Sequence, residues 1–434
     1  MSNASLSPEN ATLQFLRSLR HPTRLLVAIS GGSDSTGLLI ALHQALRDNS
    51  FPHVTLTAAT IDHALRGNSA AEAEDVARLC ARLGIPHRIR RWHGEKPATG
   101  ISAAARNARY RLLADAAVEL GATLILTAHT AEDQAETIAM RAARSDDHGA
   151  AGLAGMADAV LYDRRIWIAR PLLACRRADI RRLLSDSGTG WIDDPSNTDT
   201  RYERVRTRQT FAGTGLPALD PQPAARRLAL SARAADRLRS HAKAIAGAVL
   251  QIAPAGLAEP DDDLRHALGA AIATVGGRVH GPGRDSMDRV MAFLRRPPGG
   301  QLTSGRTVLA HGRDGLFVLR ENRGILPLAI APGEVGLWDD RFDIANLSDQ
   351  LLTVEGDGDS PKLVGHLPPG LARLARKGLP RVSRGDDGQP VAPHEARISA
   401  RIAPYDLFLP RFDLQLADAM ATIFGRDGYL PPPF

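Results

Sequence analysis

Residues 30–35 read Ser-Gly-Gly-Ser-Asp-Ser, between an apolar run at 25–29 (Leu-Leu-Val-Ala-Ile) and a helix-like stretch at 38–42 (Leu-Leu-Ile-Ala-Leu). Gly31 and Gly32 let the backbone come close to an anion, and Ser30, Ser33 and Ser35 offer hydroxyls. A helix starting here aims its unpaired N–H groups and the positive end of its dipole at the same point. That chemistry is polyphosphate binding. No Lys-Ser or Lys-Thr follows the glycines, which excludes a Walker A loop, and the third glycine of a dinucleotide fingerprint is missing. The competing reading is a plain strand-to-helix turn with Ser33 or Asp34 as N-cap.

Three more clusters carry reactive side chains. Asp62-His63-Ala64-Leu65-Arg66-Gly67 offers His63 and Arg66 to a base, ribose or phosphate, or uses Asp62 to cap the next turn. Arg106 and Arg109 lie three apart on a predicted helix and can point at one anion, or form a solvated basic face. In the segment 127–137, His129, Asp133 and Glu136 follow offsets of four and three. An imidazole and two carboxylates gathered in that way can hold Mg²⁺ directly or through water, opposite Asp34 across a triphosphate. A capping box that includes a histidine is the alternative.

The elements that must position these groups alternate. Strand-like runs at 24–30, 54–61, 86–92, 123–128 and 160–169 interleave with helical periodicity near 35–48, 70–84, 101–120 and 132–144. This pattern predicts an α/β fold with a doubly wound, Rossmann-like parallel sheet covered on both faces. Ligands of such sheets bind beyond the carboxyl ends of the strands, where each cluster falls.

A polar segment at 189–210 leads to an Ala-, Leu- and Arg-rich stretch of helical spacing from 222 to 297, with Ser286 opening a helix and Pro297-Pro298 closing it. Runs at 307–310 and 316–320 around Gly312-Arg313-Asp314-Gly315 predict a β-hairpin. The expected division is a catalytic domain at 1–215, a mainly helical domain with a terminal hairpin at 216–325, and a small, loosely specified α+β region at 326–434.

The length of 434 residues accommodates two or three domains, and 44% hydrophobic content supplies their cores. The first ten residues lack a basic leader, and the most apolar stretch, 244–258, is interrupted by Pro254. A cytoplasmic protein without a membrane anchor is expected. Cys80 and Cys175 stand alone, without a CxxC pair. The net charge of +6 favours an anionic partner. Four lysines against fifty arginines suit phosphate recognition or reflect GC-rich coding, and 4% aromatic content argues against a broad base-stacking platform.

Taken in order, SGGSDS, DHALRG, AAARNARY and TAHTAEDQAET, then Gly152-Leu153, Arg170-Pro171-Leu172-Leu173 and the run 191–197 (Trp-Ile-Asp-Asp-Pro-Ser-Asn), resemble the tRNA(Ile)-lysidine synthetase family of PP-loop ATP pyrophosphatases. The resemblance spans about residues 22–210. It implies a ligase that adenylates the wobble cytidine of the CAU-anticodon isoleucine tRNA with ATP, then joins free L-lysine to it, releasing AMP and pyrophosphate. It also implies nucleotide binding by Ser30, Gly31, Gly32, Ser33, Asp34, Ser35 and His63, magnesium on Asp34, His129 and Asp133, and catalysis by Asp34, Arg109, His129 and Asp133. RNA contacts would come from Arg66, Arg106, Arg176, Arg177, Asn197, Arg204 and Arg208, joined by Arg164, Arg165, Arg181 and Arg182. A homodimer is compatible with these implications. Val205 stands where the family carries a polar residue beside its arginine. A tRNA thiolase and a catalytically inactive tRNA-binding protein are the alternatives; the thiolase generally needs paired cysteines or a cysteine-held cluster.

Overall fold

The computed structural model describes residues 6–47, 50–64, 67–97, 99–143, 151–193, 203–211, 220–358, 363, 367–385 and 388–434. The chain divides into two compact units, Met1–Arg226 with Leu430–Phe434, and Arg227–Tyr429. The sequence placed boundaries at 215 and 325. No described helix is long and apolar enough to cross a membrane.

The first unit opens with a helix that precedes the expected alternation of strands and helices, α1 (Pro8–Ser18). Its signal was local: Ser7 accepts the Asn10 amide at 3.3 Å as N-cap, and Pro8 occupies the first turn. There follow β1 (Thr23–Ala28), α2 (Ser33–Leu46), β2 (Val54–Asp62), α3 (Ser69–Arg82), β3 (His87–Arg91), α4 (Ile101–Leu120), β4 (Leu124–Leu126) and α5 (Ala131–Ala142). Then come β5 (Ala159–Tyr162), β6 (Ile166–Ala169), α6 (Arg177–Asp186) and α7 (Glu203–Thr210). The six strands lie in the order β5-β6-β4-β1-β2-β3, parallel except for β5 against β6. Leu25 on β1 is in register with Leu56 on β2 and with Leu124 on β4.

The chain thus winds outward from β1 through β3 and returns to the other side of β1 at β4. The strand order reverses between β1 and β4, the point at which such sheets form a ligand crevice beyond the carboxyl ends of their strands. The stretch 160–169 is a hairpin and not one strand. Its turn places Asp163 and Arg164 at φ of 50° and 56°, with no glycine to advertise it. Helix α2 lies so close to α6 that a Cβ on Gly37 would sit 2.2 Å from Ile180 Cγ2. The last residues also belong to this unit: Trp167 Nε1 donates to Leu430 O at 2.9 Å, and the Arg20 amide to Pro433 O at 3.0 Å.

In the second unit, α8 (Gln222–His241), β7 (Ala242–Ile245), β8 (Val249–Ile252), α9 (Pro254–Leu257), α10 (Asp262–Gly276) and α11 (Arg284–Leu294) precede β9 (Gln301–Ser304), β10 (Thr307–Gly312) and β11 (Gly315–Arg320). The five strands pair antiparallel in the order β7-β8-β11-β10-β9. The expected hairpin is β10–β11. A second hairpin, β7–β8, lies inside the stretch read as helical, where Ala and Leu spacing hid a turn at Ala246-Gly247, both at positive φ. Beyond residue 325, short antiparallel strands and the helix Pro369–Lys377 pack Trp338, Phe342, Ile344 and Val354 against Ile245, Val249 and Phe317. Buried Asp339 is held there by Arg306, Arg320 and Arg341 at 2.6–2.9 Å.

Candidate active site

The loop after β1 is shaped by its own hydroxyls. The Ser30 amide donates to Ser35 Oγ at 3.1 Å, and Ser35 Oγ donates to Gly32 O at 3.2 Å. Gly31 has φ +87°, and a Cβ there would meet Ile192 Cδ1 at 2.7 Å, so conformation and space both require glycine. The Ile192 amide closes the contact by donating to Gly31 O at 2.9 Å. Gly32 is the N-cap of α2 and supplies no side chain to its first turn, which leaves those amides for an anion. The alternative in which Ser33 or Asp34 caps the helix does not occur.

Across the crevice, Thr130 and Asp133 form a capping box at the start of α5. Asp133 Oδ2 accepts the Thr130 amide at 2.8 Å, while Oδ1 faces Arg204 Nη2 at 3.0 Å and Arg177 Nη2 at 3.7 Å. The capping and cation-facing readings of this carboxylate are therefore both realised, one on each oxygen. Glu136 is fully buried and receives Arg204 Nε and Arg208 Nε, each at 2.7 Å. Arg177 Nε lies 2.9 and 3.1 Å from the two oxygens of Asp34. Its backbone amide is fixed by both carboxylate oxygens of Glu132 at 3.1 Å.

These surroundings set the charge states. Burial raises the Asp34 carboxyl above its ordinary range, an effect that Arg177 opposes and the Asp133 charge reinforces. Burial pushes Asp133 the same way, but Arg204, the Thr130 amide and Arg177 outweigh it and hold the group below the usual carboxylate range. His129 is pushed down to about 3 by burial and by Arg170, and is uncharged at neutral pH. Its Nδ1 is 3.1 Å from Thr127 Oγ1.

A second wall follows the ends of β2 and β3. Arg109 Nε donates to His63 Nε2 at 3.3 Å, and burial with Arg109 lowers the imidazole to about 4. The edge of His63 meets Trp92 at 6.2 Å between centroids, and Lys96 Nζ lies 4.0 Å above the Trp92 ring. Trp92 and Lys96 escaped the sequence reading because neither sits in a recognisable motif.

Magnesium at a phosphate site takes one or two carboxylates plus substrate oxygens. Asp34 and Asp133 fit, since one guanidinium already spans them and Asp133 Oδ1 is free of the cap. The expected trio of Asp34, His129 and Asp133 is not assembled: among the described residues no three His, Cys, Asp or Glu side chains form a metal-ligating group. His129 is engaged by Thr127 and presents nitrogen to a cation that prefers oxygen.

The residues expected to grip RNA separate into two sets. Arg177, Arg204 and Arg208 turn inward to Asp34, Asp133 and Glu136. Arg106 and Arg176 are exposed, Arg106 packing over Tyr110 at 5.0 Å. Arg165 and Arg182 pair with Asp163 and Asp179, and Arg181 with Asp193 beside Trp191. Arg66 and Asn197 lie outside the described residues. Val205 is buried in α7, so its apolar side chain packs inward while Arg204 and Arg208 face the crevice. Cys80 and Cys175 are both buried, and burial lifts their thiols to about 11 and about 12, far from the thiolate that sulfur chemistry needs.

Residues 6–213 match the model of a PP-loop domain family. The chain is 44% identical to the tRNA(Ile)-lysidine synthase of Rhizobium meliloti (strain 1021), over 96% of this chain and 95% of that one. It is 40% identical to the tRNA(Ile)-lysidine synthase of Mesorhizobium japonicum, over 92% of each. Both alignments run through the last third, where sequence motifs were weakest. Among solved structures, the U34-tRNA thiolase NcsA of Methanococcus maripaludis aligns with a TM-score of 0.38 and 14% identity over 47% of this chain and 73% of that one.

Proposed function

The chain belongs to the tRNA(Ile)-lysidine synthases, enzymes built on a PP-loop domain, and from that premise we infer that its crevice joins free L-lysine to the wobble cytidine of a CAU-anticodon isoleucine tRNA at the expense of ATP. The observation that carries this reading is the convergence of the Ser30–Ser35 loop and the Asp133 carboxylate at the strand-order reversal. One holds polyphosphate, and the other stands where charge on a transferring phosphoryl group must be managed.

The amides opening α2 and the hydroxyls of the loop take the β- and γ-phosphates, which depart together as pyrophosphate. Asp34 and Asp133 would hold magnesium, which when bound neutralises phosphate charge. Arg109 stands on the opposite wall to orient the α-phosphate toward the cytosine carbonyl oxygen. Adenylation of that oxygen turns a poor leaving group into AMP, which the lysine side-chain amine displaces. His129 is uncharged, so it adds no positive charge that would repel the lysine side chain, which arrives as an ammonium and attacks as the amine once it has released a proton to solvent. The exposed arginines Arg106 and Arg176 lie outside the inward ion pairs and suit the RNA backbone. The reaction belongs in the cytoplasm, where its substrates meet.

Purified protein incubated with transcript tRNA, ATP and labelled lysine should place label in the RNA and release AMP and pyrophosphate. Unlabelled RNA with no AMP formed would reject ligation and favour an inactive RNA-binding protein. Thiolation is disfavoured on the chemistry of the two buried, high-pKa thiols.

A further inference from the structure

Arg177 was expected on an RNA-facing surface, yet its side chain is only 20% exposed and lies between the two carboxylates suited to a divalent ion. Nε contacts both oxygens of Asp34, and Nη2 reaches toward Asp133 Oδ1. The position is built. Glu132 pins the Arg177 backbone amide at the start of α6, and Gly37 lets α6 lie against α2, the helix that carries Asp34.

We propose that Arg177 is a placeholder cation, occupying the divalent-metal position between Asp34 and Asp133 until metal and triphosphate arrive together, and then transferring its guanidinium to the departing phosphates.

The argument is one of charge partners. Asp34, Asp133 and Glu136 are each met by an arginine of the set Arg177, Arg204 and Arg208, so none of these three carboxylates lacks a cation in the absence of a ligand. A bare divalent ion would have to evict Arg177 and leave a mostly buried guanidinium without an acceptor, which is unfavourable. A metal entering with a triphosphate brings new oxygens for the displaced guanidinium, a group whose planar fork suits phosphate. Metal and nucleotide are then coupled, each raising the other's affinity. This proposal rests on the assignment of Asp34 and Asp133 to the metal, and on ATP as the nucleotide.

Mn²⁺ binding to the full-length protein, followed by electron paramagnetic resonance with and without the non-cleavable analogue α,β-methylene-ATP, tests it. Wild type should bind Mn²⁺ weakly alone and far more tightly with the analogue. Arg177→Met should bind Mn²⁺ alone about tenfold more tightly than wild type, because the competing cation has gone, and should lose most of the enhancement by the analogue. Arg177→Lys keeps the charge and should behave like wild type toward Mn²⁺ alone, while binding the analogue more weakly. If Arg177→Met binds Mn²⁺ no more tightly than wild type, although both bind it normally with the analogue, the placeholder role is overturned and the metal assignment stands. If neither protein binds Mn²⁺ even with the analogue, both fall.

Discussion

Asp133 Oδ2 accepts the Thr130 amide at 2.8 Å, so the carboxylate that faces the arginines of the crevice is also the one that caps α5. The helix start and the charged site are a single construction. Orienting Asp133 costs no separate device, because the capping box fixes its rotamer and leaves Oδ1 pointing outward.

This double duty can be separated by mutation. Asp133→Asn keeps an oxygen for the Thr130 amide but withdraws the anion from Arg204 and Arg177, whereas Asp133→Ala removes the cap as well and should be less stable than the Asn variant by about 1 kcal/mol. Both should reduce ligation by at least about a hundredfold, since each removes the charge facing the phosphates. Thermal unfolding alongside labelled-lysine incorporation checks the pair. An Asn variant that ligates normally would remove Asp133 from catalysis.

Asp34 predicts a trade between function and stability. Its folded-state pKa is raised, chiefly by burial, so folding favours the protonated form. The cost of the ionised carboxylate is absent below the unfolded-state range and complete above the raised folded value. Asp34→Asn should therefore abolish turnover, yet melt higher than wild type at pH 8, with the advantage shrinking as the pH falls toward 4. Melting curves at the two pH values, with tRNA retention as the control for folding, measure both effects.

Gly31 and Gly84 both have left-handed backbone, at φ +87° and +69°, but a Cβ on Gly84 meets nothing within 4 Å, while one on Gly31 collides with Ile192. Alanine should cost about 1 kcal/mol at each from backbone strain alone. Only Gly31→Ala should also raise the KM for ATP, by about tenfold or more, because the loop must shift to clear Ile192. Equal KM values in the two variants would mean that the loop shape tolerates the displacement.

Arg176 and Arg208 should differ in their salt response. Arg176 is exposed at the N-cap of α6, and Arg208 is engaged with buried Glu136. Filter binding of tRNA from about 50 to 200 mM salt should give a plot of log affinity against log salt whose slope is shallower by about one in Arg176→Ala. Arg208→Ala should leave that slope unchanged and impair ligation instead. A reversal of the two phenotypes would move RNA contact into the crevice.

Much of the first unit was legible because its signals are local and repeated. The central strands β1 and β4, buried on both faces, read as continuous apolar runs, and the order of glycines, hydroxyls and carboxylates at the strand ends announced the phosphate loop and the start of α5. The hairpin in 159–169 and the β7–β8 hairpin were hidden because their turns use non-glycine residues, or an Ala-Gly pair, within sequences of other periodicity. The strands beyond residue 325 are short, and part of their setting is the buried Asp339 with its three arginines, a contact no spacing rule reveals.

What the chain order alone determined was which side chains could serve phosphate chemistry and that a parallel sheet would deliver them to one edge, since strand periodicity and turn composition are encoded over a few residues. Which arginine meets which carboxylate was decided only by tertiary structure. Arg177 is 143 positions from Asp34, and Arg208 is 72 from Glu136. Such pairings depend on the packing of α6 against α2 and of α7 against α5, where burial makes each charge seek the partners its helix can reach.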